Sequence, residues 1–285
     1  MQKPTILFVE DNVPFLKTRK WRLEAEGYEV LCASTVQRAR NIIKDRWVHL
    51  VIIDVRLMGK SGNVTDVSGL ALAREIDWII PTIIITAFAT PEIIRSVVRI
   101  IGDERASAVD FLAKQDGENA MLEAVRRVLK EHVRINRNLD LKLCRPDSFL
   151  LLVGVMEKPH AAGRLLTSRA DEMEDIFRKL FAEHTQVTLN RFTPHSEGMN
   201  TVLVTAVSNR GTDHFAVKCG CRRDVLANMQ QIHQRHIYFA ETLHYAAVAY
   251  PVNSWQRIVE MLPQLGLVAE FLGSVVSLLV KAFDA

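Results

Sequence analysis

The first half of the chain alternates short apolar runs with stretches in which apolar residues recur every three or four positions. This alternation predicts strands separated by amphipathic helices. The apolar runs are TILFVE, YEVLCA, LVIIDV, PTIIITA and AVDFLAK, which begin at residues 5, 28, 50, 81 and 108. They are nearly continuous and rich in β-branched residues, as parallel strands covered on both faces are. We therefore predict an α/β domain with a doubly wound, five-stranded parallel sheet over residues 1–130.

Polar side chains collect at the carboxyl ends of these predicted strands, which meet at one edge of a parallel sheet. They are Glu10, Asp11, Asp54, Thr86 and Lys114. Three carboxylates close together favour a hard divalent cation such as Mg²⁺. A lysine and a hydroxyl group beside them suit a phosphoryl group. The pattern makes Asp54 the natural nucleophile.

These residues resemble the receiver domain of two-component response regulators over about residues 3–130. The acidic pair, Asp54, Thr86 followed by Ala87, and Lys114 with Phe111 three positions before it all fall in the family's order. The resemblance implies a flavodoxin-like fold and a phospho-accepting Asp54. It also implies a sensor histidine kinase or a phosphotransfer protein as partner, and a signalling switch instead of a turnover enzyme.

The resemblance also implies a role for each site residue. Asp11 would bind Mg²⁺ directly, Glu10 would order its water shell, and Asp54 and the backbone carbonyl of Arg56 would supply further ligands. In the phosphorylated state, Thr86 and Lys114 would contact the phosphoryl oxygens. Phe111 would then rotate inward into the space that Thr86 vacates.

Two departures from the family pattern concern the active edge. The loop after Asp54 is RLMGKSGNVTDVSGL, which is longer than usual, lacks the usual proline and regains Gly-Leu only at Gly69. Lys114 is followed by Gln115 where the family has proline. A degenerate receiver that keeps the fold without phosphorylation is therefore an alternative interpretation.

After Gly117 no helix breaker occurs until Pro146. A heptad-like seam runs through Leu122, Val125, Leu129, His132, Asn136, Leu139 and Leu143. It predicts that the last receiver helix continues as a helical linker over residues 131–147, with a homodimer stalk over residues 119–143. The alternative is an amphipathic helix that packs on its own second domain.

Residues 148–285 predict an α+β output domain with an antiparallel sheet. SFLLLVGVM, QVTLNRFTP, TVLVTAVSN and DHFAVKCGC are predicted strands, SRADEMEDIFRKLFAEH is a predicted helix, and QQIHQRHIYFAETLHYAAVAY is a second candidate helix. No pair of helices has the size and short turn of a helix-turn-helix. Regulation through an unknown protein partner is the leading interpretation, and a DNA-binding transcriptional regulator is an alternative.

Residues 176–275 loosely resemble the amino-terminal lobe of kinase-like folds of the aminoglycoside and choline phosphotransferase type. In that resemblance Gly198 stands for the glycine-rich loop and Lys218 for the nucleotide-contacting lysine. The acidic residues of a catalytic lobe do not follow, so we expect no kinase activity. An incomplete nucleotide-binding module is the enzyme-class alternative.

Composition and charge bear on the partners and the cellular compartment of the protein. The net charge of the 285 residues is +3, which does not favour nucleic acid binding by the chain as a whole. Four scattered cysteines suit free thiols in a reducing compartment, and the chain starts without a signal-peptide pattern. The apolar tail is interrupted by Glu270 and Lys281 and falls short of a membrane span. We therefore expect a cytoplasmic protein without membrane insertion.

Overall fold

The computed structural model describes residues 3–57, 67–76, 80–87, 90–91, 94, 108–145, 148–156, 164–194, 199–229 and 238–251. The chain divides into two compact units, Met1–Ile135 and Asn136–Ala285. The division therefore falls inside the predicted linker, residues 131–147.

The first unit is built on a five-stranded parallel sheet. Its strands are β1 (Thr5–Val9), β2 (Glu29–Ala33), β3 (Leu50–Asp54), β4 (Thr82–Thr86) and β5 (Ala108–Ala113). Its described helices are α1 (Val13–Ala25), α2 (Val36–Asp45), α3 (Ser68–Glu75) and α4 (Gly117–Val128). The strand order β2-β1-β3-β4-β5 is that of flavodoxin-like folds. The five strands and the fold class predicted from the sequence are confirmed.

Burial explains why these runs form the central strands. Every residue of β1, β3 and β4 is buried. Ile6 and Phe8 of β1 pack in one core cluster with Ile52 of β3 and with Leu122 and Val125 of α4. Apolar side chains on both faces of a strand need cover on both sides, which the doubly wound arrangement supplies.

A helix cap fixes where the chain leaves β1. The side-chain oxygen of Asn12 accepts a hydrogen bond from the backbone N–H of Phe15 at 3.2 Å, and Pro14 lies in the first turn of α1. Both features start a helix without costing a backbone hydrogen bond. Glu10 and Asp11 therefore remain at the end of the strand, outside the helix.

The predicted helical linker is wrong beyond Val133, whereas the homodimer through residues 119–143 stays a prediction. Helix α4 ends at Val128, a π-helical turn covers Leu129–Val133, and Arg134 has a left-handed φ of 52°. Asp140–Leu143 then forms strand β6, which pairs in parallel with Gln186–Leu189. A continuous helix over residues 119–143 is excluded.

Two members of the predicted seam serve the second unit instead. The side-chain amide of Asn136 donates to the carbonyl oxygens of Ala182 at 2.9 Å and His184 at 3.2 Å. Leu139 is buried in the core cluster of the second unit. Both residues therefore have partners within the same chain. Spacing alone does not distinguish such partners from those in a dimer.

The second unit has a six-stranded sheet with described helices α5 (Ser148–Met156), α6 (Arg164–Leu180) and α7 (Arg222–Met229). Its remaining strands are β7 (Gln186–Pro194), β8 (Met199–Ser208), β9 (Gly211–Cys221), β10 (Tyr238–Glu241) and β11 (Tyr245–Pro251). The order is β10-β11-β9-β8-β7-β6, and all pairs except β6–β7 are antiparallel. The predicted α+β class is confirmed.

Two elements of this unit differ from prediction. SFLLLVGVM forms helix α5, because a short apolar run fits a buried helix as well as a strand and leucine favours helix. The stretch YFAETLHYAAVAY forms strands β10 and β11 in place of a helix. Its β11 residues are buried on both faces of the sheet, which overrides the weak helical spacing. Within the described ranges, none of the helices has both the length and the apolar character needed to cross a membrane.

Candidate functional site

Three carboxylates meet at the carboxyl edge of the first sheet. Glu10 and Asp11 follow β1, and Asp54 ends β3, which is the neighbour of β1 in the sheet. Glu10, Asp11 and Asp54 each offer an oxygen within 4.8 Å of the others. Glu10 is fully buried and Asp54 is buried, so solvent screens their mutual repulsion poorly. Clustered carboxylate oxygens are the donor set that Mg²⁺ prefers, so these residues fit that ion.

Lys114 supplies the cation of this cluster. It follows β5, and its Nζ lies 2.6 Å from Oε2 of Glu10 and 2.8 Å from Oδ2 of Asp54. The β3-β4-β5 order places one strand between Lys114 and Asp54, a span that the long lysine side chain bridges. One ammonium against three carboxylates leaves the ionised cluster with a net charge of −2. That excess favours a divalent cation.

Burial and pairing shift the pKa values of the three partners. Burial raises the pKa of Asp54 above its ordinary value, although hydrogen bonds from Lys114 and from the backbone N–H of Arg56 oppose the rise. Burial likewise raises the pKa of Glu10, against a hydrogen bond from Lys114. Burial alone would lower the pKa of Lys114, but its hydrogen bonds to Asp54 and Glu10 outweigh this and raise it. The lysine therefore stays protonated, while protons and metal ions compete for the carboxylates.

Lys114 begins a tight turn, and the next residue, Gln115, stands where the family pattern has proline. Lys114–Asp116 forms a single 3₁₀ turn, and Oδ2 of Asp116 accepts from the backbone N–H of Ala113 at 2.8 Å. Gln115 is exposed within this turn. Gln115 stands out in the sequence but Asp116 does not, because the hydrogen bond from Ala113 to Asp116 depends on the turn itself.

Phe15 is a second residue that the sequence analysis missed. Nζ of Lys114 lies 4.7 Å from the centre of the Phe15 ring, a cation–π contact that guides the lysine from the side of α1. The ring also packs edge-on against Phe8 of β1. An aromatic residue three positions after the helix cap Asn12 is the signal in the sequence that could have indicated it.

Thr86 and Phe111 occupy neighbouring strands. Thr86 ends β4, is 1% exposed and pairs with Ala113, whereas the half-buried Phe111 pairs with Ile84. In a parallel pair, residues two apart share a face. Thr86 and Phe111 therefore lie on the same face of the sheet, in diagonal positions on adjacent strands.

Arg56 and Gly69 frame the other side of Asp54. The backbone N–H of Arg56 hydrogen-bonds the Asp54 carboxylate, and the backbone N–H of Gly69 donates to the carbonyl of Val55 at 3.0 Å. The long loop that the sequence analysis singled out covers residues 56–70, of which 58–66 lie outside the described residues. Its Gly-Leu end is the start of helix α3.

Lys218 belongs to the second unit. It lies in β9, opposite Thr201 of β8 and Val248 of β11, and is 3% exposed. Gly198, its predicted companion in a nucleotide site, lies outside the described residues. The nucleotide contact of Lys218 stays a prediction.

Comparison with known proteins finds one family model and several relatives. The family model for the response regulator receiver domain matches residues 6–126. The aerobic respiration control protein ArcA of Escherichia coli K12 is 41% identical over 76 residues, which cover 27% of this chain and 29% of ArcA. The phosphate regulon transcriptional regulatory protein PhoB of Pseudomonas aeruginosa is 38% identical over 88 residues, covering 29% of this chain and 35% of PhoB. The probable transcriptional regulator ycf27 of Porphyra purpurea is 28% identical over 158 residues, covering 55% of this chain and 58% of that protein.

The solved structures to which this chain is similar include receiver proteins. A CheY-like response regulator receiver domain protein from Methanospirillum hungatei is 25% identical, with a TM-score of 0.40, and the match covers 46% of this chain and 97% of that chain. A response regulator from Thermotoga maritima is 23% identical with a TM-score of 0.37, covering 46% and 100% of the two chains.

The chain spans less than two thirds of the length of the curated relatives it matches, so their whole-protein activities are not carried over. The family model coincides with the five-stranded unit that carries the acidic cluster. Residues 6–126 of this chain therefore match the response regulator receiver domain family.

Proposed function

We propose that this protein is a phosphorylation-controlled switch of a two-component system, in which Asp54 accepts a phosphoryl group. The observation that carries the proposal is the position of Lys114, whose Nζ bridges Asp54 and Glu10 beside a third carboxylate, Asp11. Forming an acyl phosphate on a buried carboxylate requires a nearby cation and metal-binding side chains that stabilise the negative charge of the phosphoryl group. The donor would be a sensor histidine kinase or a phosphotransfer protein, and the setting would be the cytoplasm.

In the proposed reaction, a carboxylate oxygen of Asp54 attacks the phosphorus atom of a phosphohistidine. The new O–P bond forms as the N–P bond breaks, and the imidazole nitrogen leaves with the bonding electron pair. Mg²⁺, when held by Asp11, Asp54, the carbonyl of Arg56 and water ordered by Glu10, would neutralise phosphoryl charge. Lys114 would exchange its contact with the free carboxylate for one with a phosphoryl oxygen.

The switch would involve Thr86 and Phe111. A phosphoryl group adds about −1.5 to −2 charges and new acceptor oxygens beside the edge of β4. The Thr86 hydroxyl would be drawn to these acceptors, and Phe111, on the same sheet face, would move into the vacated space. The surface formed by β5 and α4 would thereby change, which makes the chain a switch and not a turnover enzyme.

The second unit would transmit this change to a protein partner. The described part of this unit combines helices with a mixed sheet, and its two consecutive helices, α5 and α6, are separated by residues 157–163, a longer stretch than the turn of roughly 3–4 residues in a helix-turn-helix. DNA binding is a second candidate, favoured by the names of PhoB and ycf27, which call those proteins transcriptional regulators. Binding to duplex DNA that falls steeply with salt would support that candidate.

Hydrogen exchange with beryllofluoride and Mg²⁺ tests the proposed switch. The complex stands in for a phosphoryl group on Asp54. Amide exchange should change in residues 82–87 and 108–116 of the wild type, and it should not change in Asp54→Asn. Equal exchange with and without beryllofluoride in the wild type would contradict the switch.

A further inference from the structure

The second unit contains a cavity of about 650 Å³ that the receiver function does not use. Its walls come from α6, from the junction of β9 and α7, and from the turn between β10 and β11. The lining residues are Arg169, Cys221, Arg222, Arg223, Asp224, Leu226, Leu243, His244 and Tyr245. Its volume lies within the roughly 300–1,000 Å³ typical of small-molecule pockets.

Arginine is the commonest residue type in this lining. Each of the three arginines is paired with one carboxylate: Arg169 with Glu172, Arg222 with Glu241, and Arg223 with Asp224. The cavity also opens at the amino-terminal end of α7, where the helix dipole adds positive potential. A guanidinium group has five N–H donors, so one held by a single carboxylate can still donate to a bound anion, which is the ligand class that these donors favour.

Two carboxylates outside the lining, the buried Glu172 and the half-buried Glu241, pair with two of its arginines. Glu172 of α6 is fully buried, and its Oε2 lies 3.2 Å from Nη1 of Arg169. Glu241 accepts from Nε of Arg222 at 2.9 Å. Neither carboxylate is among the lining residues, so each holds its guanidinium group without being part of the cavity wall. Such prior ordering lowers the entropy that binding must overcome.

The turn between β10 and β11 is fixed to the same framework. The backbone N–H of His244 donates to Oε1 of Glu172 at 2.8 Å, and the carbonyl of His244 accepts from the backbone N–H of Arg222 at 2.8 Å. Hydrogen bonds from His244 and the charge of Arg169 outweigh burial and lower the pKa of Glu172, so Glu172 stays ionised. The hydrogen bonds of His244 to Glu172 and to Arg222 therefore connect the three walls of the cavity.

The cavity also has an apolar side. Leu226, Leu243 and Tyr245 belong to its lining, and Tyr245 lies in the core of the unit. We propose that this cavity binds a small organic anion, with a phosphate or carboxylate group against the arginines and a compact apolar body against the leucines and the tyrosine. The second unit would then respond to a metabolite independently of the chemistry at Asp54.

Arg223 permits a test that spares the fold. Its side chain is 92% exposed and its ion pair with Asp224 at 3.2 Å is a surface contact, which contributes little to stability. Arg169 is less suitable, because its removal would leave Glu172 buried without its ion pair. Arg210 is a matched control. It lies in the turn before β9, roughly 37 Å along the strand from the lining residue Cys221 at a rise of about 3.4 Å per residue.

The experiment is calorimetric titration of the full chain with AMP, inorganic pyrophosphate and citrate in turn. The proposal expects saturable one-to-one binding of at least one probe. Arg223→Glu should weaken it at least tenfold, and Arg210→Glu should leave it unchanged. Binding of AMP or pyrophosphate alone would assign a phosphate ligand, and binding of citrate alone a carboxylate ligand. Unchanged far-ultraviolet circular dichroism would verify the fold of both variants.

The proposal is overturned if none of the three probes binds saturably at millimolar concentration. It is also overturned if the two charge reversals weaken binding equally, because the effect would then reflect net charge instead of this cavity. Neither result bears on phosphorylation of Asp54, which lies in the other unit.

Discussion

Gly69 lies directly against the backbone of Asp54. A Cβ atom placed on Gly69 would stand 1.7 Å from the carbonyl oxygen of Asp54 and 3.0 Å from that of Val55. Helix α3 therefore begins in contact with the strand end that carries the nucleophile, and only a residue without a side chain fits there. The unusual loop after Asp54 restores this contact in spite of its extra length.

Gly69→Ala should therefore destabilise the first unit by about 2 kcal/mol or more, within the usual cost of overpacking a core. It should also slow phosphorylation, because the displaced backbone is that of Asp54. Urea unfolding of the wild type and the variant measures the first effect. Gly154→Ala is the matched control: it is a helical glycine with nothing within 4 Å of the added Cβ, and it should be neutral or stabilising by up to about 1 kcal/mol. Equal stabilities for both variants would contradict the close contact.

Stability without metal should depend on pH through Asp54 and Glu10. Their pKa values in the folded state are raised from 3.8 and 4.5, so the folded state binds protons more tightly than the unfolded state does. Their contribution to stability is thus fully present below these ordinary values and is lost as the pH rises through the raised ones. Thermal unfolding of metal-free protein should show this loss, and Asp54→Asn should reduce it.

Mg²⁺ should reverse that loss. Above the raised pKa values the ionised carboxylates bind the ion, so its stabilising effect should grow as the pH rises towards 8. Thermal unfolding at each pH with and without Mg²⁺ checks this. An effect of Mg²⁺ that is the same in wild type and Asp54→Asn would be inconsistent with a site at this cluster.

Lys114→Ala should alter two properties in opposite directions. Phosphorylation should slow at least tenfold, because the ammonium that would contact the phosphoryl group is gone. Mg²⁺ should bind more tightly, because removing a positive charge 2.8 Å from Asp54 leaves the carboxylates more negative. Lys17→Ala, at an exposed lysine of α1, is the control and should change neither. Weaker Mg²⁺ binding in Lys114→Ala would contradict the electrostatic account.

Asp116→Ala should slow phosphorylation several-fold while the unit stays folded. Its carboxylate closes the turn that aims Lys114, through the hydrogen bond from Ala113. Gln115→Ala removes a neighbouring exposed side chain and should have little effect. Phosphorylation rates with acetyl phosphate compare the two variants. If Gln115→Ala has the larger effect, the turn does not position the lysine in this way.

The sequence predicted the first sheet and its active edge because buried parallel strands leave a continuous apolar signal and end in polar residues. It failed at Asn136 and Leu139, because a heptad-like spacing does not tell whether the partner is a second chain or the same one. It failed for SFLLLVGVM because a nine-residue apolar run has no decisive period. The roles of Phe15 and Asp116 were not predicted, because they come from contacts with Lys114 and Ala113 that exist only in the folded chain.

The most direct measurement of the central claim is the intact mass of the full chain after incubation with acetyl phosphate and Mg²⁺, followed by peptide mapping. The account predicts one added phosphoryl group in the wild type, located on the peptide that contains Asp54, and none in Asp54→Asn. An unmodified wild type, or an adduct that persists in Asp54→Asn, would contradict it.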